Sequence, residues 1–295
     1  MIRARVATSM EATKSDPDPA PDPTKVARLH ACVDALGSVA VAFSGGVDST
    51  LVLKVAHDRL GGRAIGVIGV SASLPPGELE EARALAKKIG APLEEITTDE
   101  LADPDYAANP SNRCFFCKSE LYSKLVPWAK GRGLESVADG LNLDDRGDWR
   151  PGAQAADDAG VRHPLFEAGF AKADVRALAR ALGLQNWDKP ALACLSSRIP
   201  YGTAVTVPRL DRIGRAEAAV KRLGFSSVRV RFHDDAARIE VPPADLERLF
   251  ARRDEVVRAV KDAGFVYVAL DLQGYRSGSS NETLRAAATD RDARG

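Results

Sequence analysis

An apolar run at 38–43, Ser-Val-Ala-Val-Ala-Phe, stops at Ser44-Gly45-Gly46-Val47-Asp48-Ser49-Thr50, and a helical pattern follows at 51–60. This order commits the chain to a buried strand, a tight turn and a helix. Two glycines permit a close backbone turn, and an anion can approach them without meeting a Cβ. The first amides of the helix have no partner within it and point into the turn, which suits a phosphate. Ser44, Ser49 and Thr50 add hydroxyl donors. Asp48 is the odd residue, since a carboxylate repels phosphates; Mg2+ between the two resolves this, because that ion takes oxygen ligands and nucleotide phosphates. The competing reading is a plain strand–helix turn with Asp and Ser as caps. There is no G-x-x-x-x-G-K-[ST] and no G-x-G-x-x-G, so neither of those phosphate-binding patterns applies.

The rest of the first half repeats the alternation. Strands are expected at 64–72, 92–99 and 135–140, and helices at 24–36, 75–90, 121–130 and 174–182. Pro and acidic residues open the 75–90 helix and glycine follows its end. Strands alternating with helices imply an α/β fold with a parallel sheet covered on both faces. Ligands of such sheets sit at the carboxyl ends of strands. The 44–50 turn, Ser71-Ala72-Ser73 and Asp139-Gly140 all fall at such ends. Beyond about residue 184 the character changes. Residues 186–203 lack periodicity and read as a long functional loop. A helix (208–223), two strands (227–232, 237–241), a helix (244–263) and a strand (265–271) then suggest a smaller α+β domain. The expected organisation is a disordered tail at 1–23, a nucleotide-binding domain at 24–185, a second domain at 186–280 and a tail at 281–295.

Lys plus Arg and Asp plus Glu number 41 each, so the formal net charge is zero. A nucleic-acid binder usually carries a basic excess, so no nucleic-acid partner is expected, although a local basic pocket stays open. No apolar run reaches the ~20 residues of a membrane span. The first residues lack the apolar core of a secretory signal, and the acidic, Pro-rich stretch at 15–24 argues against a transit peptide. A cytoplasmic protein is expected. Its four cysteines, Cys32, Cys114, Cys117 and Cys194, are then better read as thiols, ligands or buried small hydrophobes than as disulfides.

With the 44–50 turn as its PP-loop, the chain resembles the N-type ATP pyrophosphatases, which include NAD and GMP synthetases, tRNA-thiolating enzymes and LarE-type sulfur transferases. Further segments resemble the LarE-type branch: Asn112-Arg113-Cys114-Phe115-Phe116-Cys117-Lys118; Asp139-Gly140-Leu141-Asn142-Leu143-Asp144-Asp145 with Asp148-Trp149-Arg150-Pro151-Gly152; residues 187–202, from Trp187-Asp188-Lys189-Pro190 through Cys194 to Tyr201-Gly202; and residues 270–279. The resemblance runs from about 25 to 285. It implies that ATP is cleaved between its α and β phosphates and that a carboxylate of a pyridinium mononucleotide is adenylated. Sulfur then displaces AMP and leaves a thiocarboxylate, in biosynthesis of the nickel-pincer cofactor. It also suggests a homo-oligomer.

Site expectations follow. Ser44, Gly45, Gly46, Val47, Ser49 and Thr50 hold the ATP phosphates, with Asp48 acting through Mg2+. Val70, Ser71 and Ser73 face the adenosine. Asp139, Gly140, Asn142, Asp144 and Arg150 serve the nucleotide or Mg2+; the acidic residues have solvated turn positions as their alternative. Arg229, Arg231 and His233 alternate along one strand and share a face. That face is either an exposed basic stripe or, with Arg198 and Arg276, a pocket for the substrate phosphate. Cys114, Cys117 and Cys194 supply three thiolates, the usual ligands of iron–sulfur clusters, and leave one iron of a [4Fe-4S] cluster open to carry sulfide. Zinc, a redox-active Cys114–Cys117 pair and a sacrificial Cys194 are the alternatives. Cys32 is expected in the core, and His57 and His163 have no assigned chemistry. Other functions weighed are a tRNA-thiolating enzyme, an amide synthetase and a non-enzymatic nucleotide-binding module.

Overall fold

The computed structural model describes residues 20–146, 151–190 and 193–276. Arg150 and the segment around 148–149 lie outside them. The elements run α1 (Pro23–Asp34), β1 (Val39–Ala42), α2 (Val47–Leu60), β2 (Ala64–Val70), α3 (Glu78–Ile89), β3 (Leu93–Thr97), α4 (Pro104–Ala107), α5 (Arg113–Gly131) and β4 (Ser136–Ala138). Then come α6 (Leu143–Arg146), α7 (Pro151–Asp158), α8 (Pro164–Glu167), α9 (Lys172–Ala181), α10 (Val207–Arg222), β5 (Arg229–His233), β6 (Ala236–Glu240), α11 (Leu246–Ala251), α12 (Arg253–Asp262) and β7 (Tyr267–Leu270).

The first four strands form one parallel sheet in the order β3-β2-β1-β4. β1 is buried throughout, and its alternate side chains enter two different cores, as the period of two requires. Val39, Val41 and Phe43 join Leu29 and Val33 of α1, Leu51 and Val55 of α2, Ala82 of α3 and Val175 of α9. Ala40 and Ala42 point to the other face, against Tyr122, Leu125 and Ala129 of α5 and Ala156 of α7. Both faces are therefore covered, and the fold is α/β as the alternation implies.

The second sheet has the order β5-β6-β7, antiparallel across β5 and β6 and parallel across β6 and β7. Leu210, Ile213 and Val220 of α10 and Val256 and Val260 of α12 pack with Val230, Phe232 and Ile239. Tyr106, Leu195 and Ile199 join this same core, so the Cys194 loop packs on the second sheet. Among the described residues no helix is long and apolar enough to cross a membrane.

Two of the expected helices differ in extent. The helix expected at 121–130 begins at Arg113, because its first turns are amphipathic through cysteines and phenylalanines that an apolar/polar count reads poorly. The helix expected at 244–263 divides at Arg252, where φ is -104° and ψ is 20°.

One close approach fixes where the first sheet's strand ends meet. A Cβ at Gly140, just beyond β4, would lie 2.7 Å from Ser49 N and 2.9 Å from the Asp48 carbonyl carbon. Only glycine lets the β4 loop touch the first turn of α2. Gly140→Ala should therefore cost ~1–3 kcal/mol, the range for overpacking, measured as a lower midpoint in urea unfolding, and should weaken nucleotide binding with it.

Candidate active site

The turn at 44–50 is built for an anion. Gly45 has φ +73°, a conformation open to glycine. Gly46 caps α2 without any side-chain acceptor, so the leading amides are not satisfied by a cap. Ser49 Oγ accepts from Ser44 N at 3.1 Å and Thr50 Oγ1 donates to Gly46 O at 2.8 Å. From the distant 186–203 loop, Asn186 Nδ2 donates to Gly45 O at 3.0 Å and to Thr50 Oγ1 at 2.9 Å.

Asp48, on the first turn of α2, is held from two sides. Lys172 Nζ donates to Oδ2 at 2.5 Å, and Asn142 Nδ2 donates to Oδ1 at 3.1 Å. Lys172 also gives its backbone N–H to Asp144 Oδ2 at 2.8 Å. Asn142 Oδ1 accepts from Asp144 N, and Asp145 Oδ2 accepts from Asn142 N. Two segments distant in sequence thus converge on the Asp48 carboxylate.

Asp139 is differently placed. Its Oδ1 accepts from Leu141 N at 3.0 Å and pairs with His163 Nδ1 at 2.7 Å, and its Oδ2 accepts from Tyr122 OH at 3.1 Å. Both oxygens are engaged before any ligand arrives, so Asp139 shapes the β4 loop. His163, to which the sequence assigned nothing, is its buried partner, with Asp157 on the other ring nitrogen at 3.1 Å.

At the β2 end, Ser71 and Ser73 donate to one oxygen of Glu100, at 2.7 and 2.6 Å. Ser73 O accepts from Leu195 N at 2.8 Å, which fastens the Cys194 loop to this strand end.

Cys114 is exposed, and Cys117 and Cys194 are half-buried. Burial first, then Cys194 and Glu100, push the Cys117 thiol well above its ordinary range. Arg113 is 4% exposed and donates to Asn109 Oδ1 and Ser196 O. Burial would lower its pKa, but Cys194 and Cys114 reverse this and raise it. Cys114 and Cys194 thus act on Arg113, and the same two thiols act on Cys117. Among the described residues no group of three His, Cys, Asp or Glu side chains stands in metal-holding geometry. Cys32 packs against the first core.

The arginines divide. Arg198 forks onto buried Glu217 at 2.8 and 3.1 Å and donates to Ala193 O and Cys194 O. Arg231 forks onto buried Glu240 at 3.0 and 2.9 Å and donates to Ser197 O. At 8% exposure Arg231 does not belong to an exposed stripe, whereas His233 is exposed. Arg276 lies 3.9 Å from Asp271. Arg229 has no carboxylate partner among the described residues; it donates to Val228 O and packs on Tyr275, 5.3 Å from the ring centre. Burial, then the charge of Arg198, lower its pKa.

No protein-family model matches the chain. It is 44% identical over 265 residues to the pyridinium-3,5-bisthiocarboxylic acid mononucleotide synthase of Lactiplantibacillus plantarum, covering 90% of this chain and 96% of that one. The chain belongs to this synthase family. An uncharacterized protein of Synechocystis is 49% identical over 263 residues, 88% of this chain and 98% of that one. A tRNA-specific 2-thiouridylase of Rickettsia peacockii is 26% identical over 196 residues, 53% of each chain, which agrees with a PP-loop sheet.

Within this family member, Lys172, Asn186 and Glu100 stand at the site and were not singled out from the sequence. Lys172 carried a legible signal. A lysine in the first turn of a helix opposes the helix dipole, so something nearby must favour it, and that partner is Asp48. Asn186 and Glu100 carried none, since their partners lie 136 and 27 or more residues away.

The Asp139–His163 pair has a pH signature. Burial raises the Asp139 pKa, but the His163 hydrogen bond and charge outweigh it and leave it lowered. Burial lowers the His163 pKa, but Asp139 and Asp157 outweigh it and leave it raised. The Asp139 contribution is present above its unfolded pKa and disappears as pH falls through the depressed folded value. The His163 contribution is complete below its unfolded pKa, near 6.5, and disappears as pH rises through the raised folded value. His163→Gln should cost ~1.5–3 kcal/mol near pH 6 in denaturant titrations, and the gap from wild type should narrow toward both pH extremes.

Proposed function

We propose that this protein is an ATP-dependent sulfurtransferase that converts carboxylates of a pyridinium mononucleotide into thiocarboxylates. The L. plantarum relative is named for a pyridinium bisthiocarboxylic acid mononucleotide, and the convergence of Lys172 and Asn142 on Asp48, beside the uncapped start of α2, carries the reading here. ATP lays its phosphates against the 44–50 amides and hydroxyls. Asp48 is an oxygen donor of the kind Mg2+ takes, and Lys172 holds its place as a counter-cation until the metal–nucleotide arrives. A carboxylate oxygen of the substrate attacks the α-phosphorus and pyrophosphate leaves. The acyl adenylate now has AMP as a good leaving group, and a sulfur nucleophile replaces it at the carbonyl carbon.

Val70, Ser71 and Ser73 lie at the β2 end on the adenosine side, with Gly140, Asn142 and Asp144 flanking the phosphates. Arg229 takes the substrate phosphate, supported by Arg198, Arg231 and Arg276. Arg198 and Arg231 act mainly by holding the carbonyls of Cys194 and Ser197.

Cys114, Cys117 and Cys194 would hold a [4Fe-4S] cluster. The donor set suits a cluster by its chemistry, three thiols of which Cys114 and Cys194 have buried Arg113 near them, although the three are not closed into metal-holding geometry. When bound, the cluster supplies an open iron for an extra sulfide.

Asp48→Ala should abolish substrate-dependent pyrophosphate release while the circular dichroism spectrum stays native; ADP and phosphate as products would exclude the proposal. Arg229→Ala should weaken apparent substrate affinity by roughly tenfold or more, as expected for one charge-assisted contact of ~1.5–3 kcal/mol, with ATP affinity unchanged. Arg231→Ala should in addition lower the melting temperature, since it strands buried Glu240. Anaerobically purified protein should contain about four irons per chain by the cluster stoichiometry. Loss of any one of the three cysteines should remove both the iron and multiple turnovers. Full activity in a Cys114→Ala, Cys117→Ala double variant, with sulfur mass lost at Cys194, would establish the sacrificial route instead.

A further inference from the structure

A cavity of about 300 Å3 opens beside the first turns of α10 and shares no residue with the site described above. Pockets that take small molecules begin at about this volume. Pro208, Arg209 and Arg212 of α10, Phe232 of β5, and Asp234 and Asp235 of the β5–β6 turn line it. Arg209 and Arg212 stand three apart on the helix and share a face. Both guanidiniums lie over the Phe232 ring, 5.1 and 5.7 Å from its centre, and Arg212 also lies 4.0 Å from the centre of the Phe265 ring. Rings offset a guanidinium's charge, but they do not replace its bonds to oxygen. Nε and Nη2 of Arg212 are buried without an acceptor, so the group is held by the rings and not by hydrogen bonds. Arg209 Nη1 reaches one acceptor, Ala204 O, at 2.5 Å. Neither arginine is in ion-pair contact with a carboxylate among the described residues, whereas Arg198 and Arg231 fork onto Glu217 and Glu240. The first turn of α10 holds no acidic residue, and the start of a helix is already the positive end of its dipole. The opposite wall is negative. Asp234, at φ +51°, and Asp235 form the two-residue turn between β5 and β6 and are exposed. The turn is anchored, because Asp235 O accepts from Val266 N and Tyr267 N at 2.9 and 3.0 Å.

We propose that this cavity is a binding site for a free α-amino acid, with Arg209 and Arg212 taking its carboxylate and Asp234 and Asp235 its ammonium. Opposite charges line one small space here without closing on one another. A simple cation would face two guanidiniums and the start of a helix. A phosphate or nucleotide would carry its excess negative charge against the two aspartates. A zwitterion meets both walls at once, and its two charged groups sit on a single carbon, close enough to share so small a space. The planar fork of a guanidinium matches a carboxylate, and the rings have already fixed that of Arg212 in place, so little ordering is left to binding. Phe232 and Pro208 offer apolar surface to the ligand's side chain.

Ligand titration tests this. The full-length protein is screened by thermal melting against each standard amino acid in turn, and those that raise the melting temperature are titrated by calorimetry beside acetate, ethylammonium and inorganic phosphate. At least one amino acid should bind. Acetate and ethylammonium each carry one half of the charge pair and should bind roughly tenfold or more weakly, the loss of one charge-assisted contact. Arg209→Gln and Asp235→Asn should each weaken the amino acid by a similar factor, while Arg229→Ala, on the substrate side, should leave its affinity unchanged. If Arg209→Gln lowers the melting temperature of the free protein, Asp235→Asn at the exposed turn decides alone. The proposal is overturned if no amino acid shifts the melting temperature, or if acetate or phosphate binds as tightly as the amino acid, which would make this a plain anion site. Wild-type affinity in Asp235→Asn, or loss of binding in Arg229→Ala, would place the amino acid elsewhere and overturn it as well.

Discussion

The whole site depends on two strand ends being brought closer than side chains normally allow. β1 and β4 are neighbours in the sheet, and each hands its chain to the space above it. Gly140 leaves room for the β4 loop to rest on the backbone of Asp48 and Ser49. From that contact Asn142 reaches Asp48, and Asp144 reaches the first backbone amide of α9, which brings Lys172 in. A parallel sheet already points these ends the same way; the missing side chain at Gly140 turns proximity into contact. The carboxylate that results is neutralised yet replaceable. Its lysine is a flexible point charge on a long stem, and Lys172 and Asp48 are 30% and 23% exposed at their side chains. Water can screen and compete there.

The second dependence runs through the 186–203 loop. Its described residues have little regular structure besides a short turn of helix at Leu195–Arg198, yet they are fastened at several points. Asn186 grips the phosphate turn, Ser73 takes Leu195, and Arg198 and Arg231 hold the carbonyls around Cys194. Leu195 and Ile199 are sunk into the core of the second sheet. The loop is therefore the physical link between the nucleotide side and the side that carries Arg229. A long aperiodic segment inside a folded chain is usually functional or disordered, and the number of specific bonds made by this one decides for the first.

That division of labour explains what could be read from residue order. β1, the 44–50 turn and the alternation of strands and helices follow from local patterns, a buried run, two glycines and amphipathic spacing, so the α/β architecture and the phosphate turn were legible. The partners of individual side chains were not. The partners of Asp139, His163 and Tyr122, could not be read from residue order, because what a side chain at a strand end meets depends on what the other helices bring to it. Lys172, Asn186 and Glu100 act through contacts over long sequence separations, which local propensity does not encode.

The buried ion pairs show how those long contacts are made specific. Pairs such as Arg59 with Asp34 are about 40% exposed on both sides, and exposed pairs contribute ~0–1 kcal/mol. Arg198 and Glu217 are 1% and 2% exposed. There the loss of hydration consumes most of the mutual attraction, so the pair adds little net stability over an apolar substitute. It does select geometry. A guanidinium has five donors in a rigid plane, and once two are committed to Glu217 the direction of the rest is set. For Arg198 they meet Ala193 O, Cys194 O and Ser197 Oγ. Glu217 Oε1 also accepts from Val230 N, at 3.0 Å, so one carboxylate registers β5 against α10 and, through Arg198, positions the backbone of Cys194. Arg231 and Glu240 repeat the arrangement one residue pair along, toward Ser197 O. Arg229, between them in sequence, has no carboxylate partner among the described residues, and its burial, then the charges of Arg198 and Arg231, lower its pKa.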